Sequence, residues 1–416
     1  MNIAVIGAGV SGLVSALLLS DEHQVTVYEA NGYPGGHTNT VDVETERGTY
    51  AVDTGFIVFN DRNYPNFERL LERLGVASQP SNMSFSVADE AGRFEYAATG
   101  LNGLFATRSN LVNPRFTRML AEVPRFQRAC LALLADGGDD DSISLAGFLS
   151  REGFSPTFVN RLIVPQAAAV WSADPAAMDS FPASFLATFF KNHGMLSLRG
   201  RPNWRVIRGG SRTYVQAILA RLGDRVRLST PVSSIRRGAD GVTVSVAGRA
   251  PEVFDHVVVA THSDQALALL ADPTTTEQEV LGAIPYQANQ AVLHTDVSLL
   301  PRRRRAWASW NYHLLSPPSG QASVTYHMNR LQSLDAPQEF CVTLNRTDAI
   351  DPAKIIAAFD YAHPVYTPAG VRAQARVAEI SGQDRTHFCG AYWGWGFHED
   401  GVLSAVRVAE QFGARL

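Results

Sequence analysis

The chain has 416 residues, room for roughly two to three domains at about 150 residues each. Hydrophobic residues make up 45% and charged residues 18%, which excludes a disordered chain, and the net charge of -4 leaves no global basic field for nucleic acid. Of the 36 basic residues only two, Lys191 and Lys354, are lysines; neither follows a glycine, which excludes a phosphate-binding P-loop.

Residues 2 to 6 are a short apolar run rich in β-branched residues and read as a buried parallel strand. A buried helix is expected over 11–20 and a second strand over 25–29, a βαβ unit at the start of the chain. Phe67, Leu70, Leu71 and Leu74 share one face of a helix expected over 66–75. Residues 83–97 alternate around Asp89-Glu90-Ala91-Gly92 and read as a β-hairpin. The stretch 101–200 reads as mostly helical, broken at Asn113-Pro114, Gly137-Gly138 and Ala173-Asp174-Pro175. Asp139-Asp140-Asp141 reads as a solvated loop feeding a helix rather than as a metal site, and no metal is expected. Strands return over 225–247 and 256–260, and alternating runs between 290 and 345 suggest a second sheet. The last stretch has an apolar run near Phe388, a Gly- and aromatic-rich turn, and a helix expected over about 402–413. Without repeats or a low-complexity linker, the domains are expected to interleave.

Cys130, Cys341 and Cys389 lie far apart, which excludes CxxC redox and paired-Cys zinc motifs and points to a reducing compartment. No apolar run approaches the ~20 residues of a membrane span. The residues after Met1 carry no basic n-region or cleavage pattern, so a mature cytoplasmic N-terminus is expected.

Gly7-Ala8-Gly9-Val10-Ser11-Gly12 is a GxGxxG motif that follows a strand, opens a helix and precedes Glu29 at the end of the second strand. Gly7 permits the tight turn, Gly9 lets backbone approach a pyrophosphate, and Gly12 allows close helix–strand packing. The helix N-terminus offers unpaired N–H groups to phosphates. Glu29 would accept hydrogen bonds from ribose hydroxyls and disfavours a 2′-phosphate, so NADP is not the expected occupant.

Further segments move the expectation from NAD to FAD. Gly35-Gly36-His37 follows Glu29 closely; Cys389-Gly390-Ala391 and Asp400-Gly401-Val402 precede the final expected helix. This resembles the glutathione-reductase-type FAD domain of the flavin amine oxidase and phytoene desaturase superfamily. The resemblance implies an α/β fold, a Rossmann-type FAD-binding domain interleaved with an α+β substrate domain. The FAD domain would comprise 1–62, 203–262 and 380–416, and the substrate domain 63–202 and 263–379. The implied cofactor-binding set is Gly7, Gly9, Val10, Ser11, Gly12, Glu29, Ala30, Gly35, Gly36, His37, Thr54, Gly55, Val232, Ala260, Gly390, Asp400, Gly401 and Val402. Gly209-Gly210 with Tyr214 matches the segment where the chain re-enters the FAD domain.

Longer strings narrow the resemblance: Gly35-Gly36-His37-Thr38-Asn39-Thr40-Val41, Asp53-Thr54-Gly55-Phe56-Ile57-Val58-Phe59-Asn60, and Phe388 through Gly401. They look like a bacterial subgroup related to the flavoprotein domain fused to plant cyclopropane fatty acid synthases, and are similar to bacterial furan-fatty-acid desaturases. That implies FAD-dependent removal of hydride from a lipid acyl chain. An amine or amino-acid oxidase, a flavin-dependent isomerase without net redox, and a non-catalytic FAD-binding partner stay open. Many amine oxidases hold a Lys near the flavin through a water; Lys191 is the sole candidate for one here. His37, Tyr392, Trp393, Trp395 and His398 are the candidate catalytic residues, the aromatics as a flat apolar wall and His398 as base or flavin-orienting group. Phe181, Phe185, Phe189, Phe190, Met195 and Leu196 would line an acyl tunnel or simply fill the core. Arg302, Arg303, Arg304 and Arg305 beside Trp307 and Trp310 form either a solvated loop or a peripheral contact at the inner membrane face.

Overall fold

The computed structural model describes residues 1–135, 143–197 and 200–416. The first strand, Asn2–Ile6, is buried over its last four residues, as the middle of a covered parallel sheet requires. Gln24–Tyr28 and His256–Val259 flank it in parallel, with Ile6 opposite Tyr28 on one side and Val259 on the other. Val226–Arg227 and Thr386–Phe388 complete a five-stranded, all-parallel sheet drawn from the start, middle and end of the chain. Helix Val10–Leu19 is buried along its whole length, packed against Arg212–Leu222 and His398–Glu410. A helix apolar on every side must be covered on every side.

The second sheet has seven strands in the order Ile355–Pro364, Tyr286–His294, Cys341–Leu344, Val324–His327, Trp310–Leu314, Phe85–Asp89, Glu95–Ala97. One apolar core joins it to helices Pro114–Ala135, Leu145–Arg151, Val164–Trp171 and Ala183–Asn192. The hairpin at 85–97 forms as its alternation implies, with Ser86 opposite Ala97 and Gly92 in the left-handed region of its turn. Helix Pro114–Ala135 begins at the expected break, since proline suits a first helical position. Gly137-Gly138 and Asp139-Asp140-Asp141 fall outside the described residues.

Two expectations change. Helix Pro65–Leu74, placed beyond a boundary at 62, buries Phe67, Leu70 and Leu71 in the core of the parallel sheet. The stretch 101–200 is mostly helical, as expected, with a continuous helical run from Pro156 to Trp171 besides Pro114–Ala135 and shorter pieces. The final helix runs His398–Glu410, four residues earlier than expected over 402–413. Gly401 reads as a helix breaker but lies inside it, where a Cβ would stand 2.8 Å from Val10 Cγ1. Glycine is there for the close approach of two helices, not for a turn.

Candidate active site

The GxGxxG turn packs as its spacing demands. A Cβ on Gly12 would lie 1.9 Å from the Gly7 carbonyl oxygen, and one on Gly7, at φ +103°, would lie 2.9 Å from the Ala260 oxygen. Ala260 is tied back by its N–H to the Ile6 oxygen at 2.8 Å. Gly9 is different: nothing lies within 4 Å of where its Cβ would be, so its backbone faces open space beside the uncapped helix start at Val10 and Ser11. The N–H of Gly35 donates to the Ala8 oxygen at 2.8 Å, and a Cβ on Gly36 would meet Gly9 Cα at 3.3 Å. The two glycine loops therefore form one cradle. Glu29 is buried, its carboxylate accepting the N–H groups of Ala8 at 2.7 Å and Asn31 at 2.9 Å. A carboxylate has about four acceptor sites, so two remain for hydroxyl donors. Ala30 is exposed next to it. The turn leading to Val232 lies alongside, with Thr230 N–H on the Glu29 oxygen at 2.7 Å.

Around His37 the structure gathers groups from four distant segments. Phe56 N–H donates to the His37 oxygen at 2.8 Å, and a Cβ on Gly55 would sit 2.1 Å from that oxygen. The imidazole stacks on Tyr361 at 4.8 Å and lies 5.2 Å from His363 and 6.0 Å from His262, ring centre to ring centre. Its Nε2 is buried without a partner. Burial, with His363 next, holds the His37 pKa well below its ordinary value; burial, with His262 next, carries His363 to about 4, and burial also lowers His262. All three are neutral at pH 7. Tyr361 OH reaches Thr54 Oγ1 at 3.0 Å and accepts from Asn39 Nδ2 at 3.2 Å. His363 Nδ1 lies 2.9 Å from Asn289 Nδ2, whose amide also donates to the Gln287 carbonyl. Nδ1 must therefore accept, which leaves the His363 proton on Nε2.

His262, Tyr361 and His363 were not singled out from the sequence. The signal for Tyr361 and His363 was available in the alternation Phe359, Tyr361, His363, one face of strand Ile355–Pro364. What places that face over His37 is a sheet formed 300 residues away.

His398 does not stand free as a base. Its Nε2 lies 2.9 Å from Thr38 Oγ1 and 3.1 Å from Tyr214 OH, and those two are 2.6 Å apart. The ring stacks on Phe56 at 3.5 Å, and burial lowers its pKa to about 3. It fastens the glycine loop to the final helix. Neither do the aromatics of the turn form one wall. Tyr392 and Trp393 pack into the core behind the parallel sheet, whereas Trp395 packs among the helices, its carbonyl accepting Trp171 Nε1 at 3.1 Å. Gln374 holds the turn between them, donating to the oxygens of Tyr392 and Gly394. Tyr392 OH, Trp393 Nε1, Trp395 Nε1 and Tyr366 OH are all buried without partners.

Gly390 N–H donates to Ser404 Oγ at 2.9 Å. Asp400 caps the final helix by accepting the Phe397 N–H at 2.9 Å, and burial raises its pKa to about 7. Gly401 N–H joins the helical ladder on the Phe397 oxygen, and the Val402 side chain is fully buried in the core. The first-turn N–H groups outside that ladder are therefore those of His398, Glu399 and Asp400, so of the expected 400–402 only Asp400 is among them. Asp53, buried, accepts from Thr40, Ser211 and Gln332, tying the strand before Thr54 to the Gly209-Gly210 re-entry loop and to the second sheet.

Lys191 is exposed on helix Ala183–Asn192, and Lys354 is engaged with Asp296. Phe181, Phe189, Phe190 and Leu196 are packed as core, with Phe185 and Met195 partly buried against it. The three cysteines are free and buried. Among the described residues no group of His, Cys, Asp and Glu is placed to hold a metal ion, and no helix is long and apolar enough to cross a membrane.

The donor set fits FAD. An open glycine backbone at a helix N-terminus would face phosphate, a buried carboxylate keeps acceptor sites for ribose, and the partnerless Nε2 of His37 lies beyond. The family described as flavin containing amine oxidoreductase matches residues 10–302. An L-amino-acid oxidase from Siganus canaliculatus is 23% identical over 309 residues, 71% of this chain; the chain spans only 56% of that relative's length. Among solved structures, a cyclohexylamine oxidase from Brevibacterium oxydans IH-35A superposes with TM-score 0.69 at 18% identity, covering 99% of both chains. A CLA-producing fatty acid isomerase from P. acnes does so with TM-score 0.68 at 17% identity, covering 99% of this chain and 98% of that one. With the family matched over residues 10–302, most of its length, the chain belongs to the flavin-containing amine oxidoreductases, enzymes that depend on FAD.

Proposed function

We propose that this protein dehydrogenates an uncharged carbon chain, in particular an unsaturated or methylated fatty acyl group. FAD, when bound, supplies the acceptor for hydride from a substrate carbon and passes the electrons on to oxygen or another acceptor. The observation that carries the reading is the neutrality of the surroundings of His37. Three imidazoles held below their ordinary pKa and the stacked Tyr361 furnish no formal charge beside His37; the carboxylates felt by this group are Asp264, at His262, and Asp53, at Tyr361. The buried carboxylates Asp53 and Asp400 are already occupied by protein donors. No carboxylate acts on His37 itself, so a substrate ammonium beside it would lack an adjacent counter-charge, which is costly. Lys191, exposed, supports no amine-oxidase-type lysine at the flavin.

In this reading the chain's residues orient rather than activate. The neutral Nε2–H of His363 and the Tyr361 hydroxyl hold the polar edge of the cleft, and the aromatics exclude water so that a C–H bond is presented dry. An activated, allylic C–H is needed, because saturated chains lack acidic protons.

Amino-acid oxidation is the second reading, favoured by the Siganus relative. Isomerisation without net redox is a third, by analogy with the fatty acid isomerase of the same fold. Anaerobic titration of the purified flavoprotein separates them. Bleaching of the flavin band by unsaturated fatty acyl substrates, and not by amines or L-amino acids, is the expected result. Bleaching by an amine or amino acid alone overturns the proposal, and turnover only after prior reduction of the flavin favours isomerisation.

A further inference from the structure

The turn carrying Arg302 to Arg305 lies against a segment that is unusual in its own right. Leu101 is 77% exposed and Val112 85%, the two most exposed large apolar side chains among the described residues, and Leu111 stands beside Val112. Soluble surfaces scatter such residues singly; here three fall within 101–112. The segment is held to the arginine turn directly, by Arg305 Nε on the Ala106 oxygen at 2.8 Å. Arg108 braces it from within, donating to Asn102 Oδ1 and the Phe105 oxygen.

Charge gathers on the same edge. Arg93, Arg108, Arg302, Arg303, Arg304 and Arg305 stand against the carboxylates Asp89, Glu90 and Glu95. Glu95 is buried and is consumed by the Arg303 guanidinium and the N–H groups of 302 and 303. Glu90 pairs with Arg346. The Arg93 side chain is largely exposed, and Arg304 lies over the Trp307 ring with its charge outward of a buried indole. The Trp307 Nε1 is bonded to the Pro301 oxygen, so the tryptophan is a platform for arginine and not a membrane anchor. Between the two segments an open groove is lined by Gly92, Arg93, Thr107, Ser109, Arg302 and Arg303, guanidinium and hydroxyl groups that match a phosphodiester.

We infer that this edge docks on an anionic phospholipid bilayer, with Leu101, Leu111 and Val112 entering the interface and the arginines meeting headgroup phosphates. Apolar side chains that protrude, rimmed by cations, are the chemistry of peripheral lipid binding. The inference is independent of the substrate assigned above.

The test is co-sedimentation of the FAD-loaded protein with phosphatidylcholine vesicles and with vesicles containing phosphatidylglycerol. The wild type should bind the anionic vesicles and not the neutral ones, less so as salt rises. Leu101→Ser with Val112→Ser, and separately Arg93→Glu with Arg304→Glu, should each lower binding by about tenfold or more. Both pairs are exposed and spare the Glu95 contacts, so flavin content and melting temperature should be unchanged. Three results overturn the inference. They are no wild-type binding, equal binding to both vesicle types, and an apolar double variant that binds like the wild type. Release of bound protein by millimolar inorganic phosphate with no effect of the apolar variant would reduce the groove to a free-phosphate site.

Discussion

His398 shows how a residue visible in the sequence takes its role from its contacts. Its ring nitrogen is used by Thr38 and Tyr214 and its face by Phe56. Buried and depressed to about 3, it stays neutral in the folded state, while an unfolded histidine titrates near 6.5. The unfolded chain therefore binds the extra proton as pH falls below about 6.5, and the stability this residue contributes is present above that pH and lost below it. At pH 5.5 the loss is about 1.4 kcal/mol for each such group. His363 and His37 act in the same direction. His398→Gln should flatten the dependence of the urea midpoint on pH between 7.5 and 5.5 while lowering stability at pH 7.5 through the disturbed Thr38–Tyr214 contact. An unchanged slope would show that the ring is protonated in the folded protein.

At the scale of elements, the glycines of the first turn divide by geometry into two kinds. Gly12 meets backbone, whereas Gly9 meets nothing. Gly12→Ala should therefore destabilise the protein itself by about 3 kcal/mol, the upper range for overpacking. Gly9→Ala should leave the melting temperature of flavin-free protein within a degree or two and yet weaken FAD retention, read by flavin fluorescence after gel filtration. Equal loss in both variants would mean that Gly9 serves folding and not the cofactor. The final helix carries a parallel lesson. Glu399 reaches across to accept the N–H groups of Asn66 and Phe67, so it covers the start of helix Pro65–Leu74 while Asp400 covers its own helix. From sequence, Asp400-Gly401 read as the approach to a helix. A capping aspartate three residues into the helix and a glycine at a helix crossing look the same as a turn when the partner helix is not known.

At the scale of the whole molecule, three separate stretches of chain build the parallel sheet, and the two glycine loops lie at the ends of its strands. A ligand bound only by the folded form stabilises it by about 2.7 kcal/mol at a free concentration of 100 times its Kd. Adding FAD to flavin-free protein should raise the melting temperature in a concentration-dependent way, and NADP should not. Lys191→Met should keep kcat/KM within about twofold, as for an exposed side chain away from the site. A loss of a hundredfold would restore the amine-oxidase lysine that the exposed position of Lys191 speaks against.

The strand–GxGxxG–helix order, Glu29 and the second glycine pair were legible in the linear chain, because a dinucleotide site is built from contiguous turns whose spacing is set by backbone geometry. The hairpin at 85–97 and the helix at Pro65–Leu74 were legible for the same reason, local periodicity. Which aromatics face one another, how His398 fastens the glycine loop to the final helix, and that His262, Tyr361 and His363 surround His37 were decided only by tertiary structure. Those contacts join residues 184 to 360 positions apart, and no local pattern encodes the packing of one sheet's face against another's loop. The exposed apolar edge beside the arginines belongs with them. Leu101 and Val112 are ordinary apolar letters in the sequence, and only the fold shows that nothing in the described chain covers them.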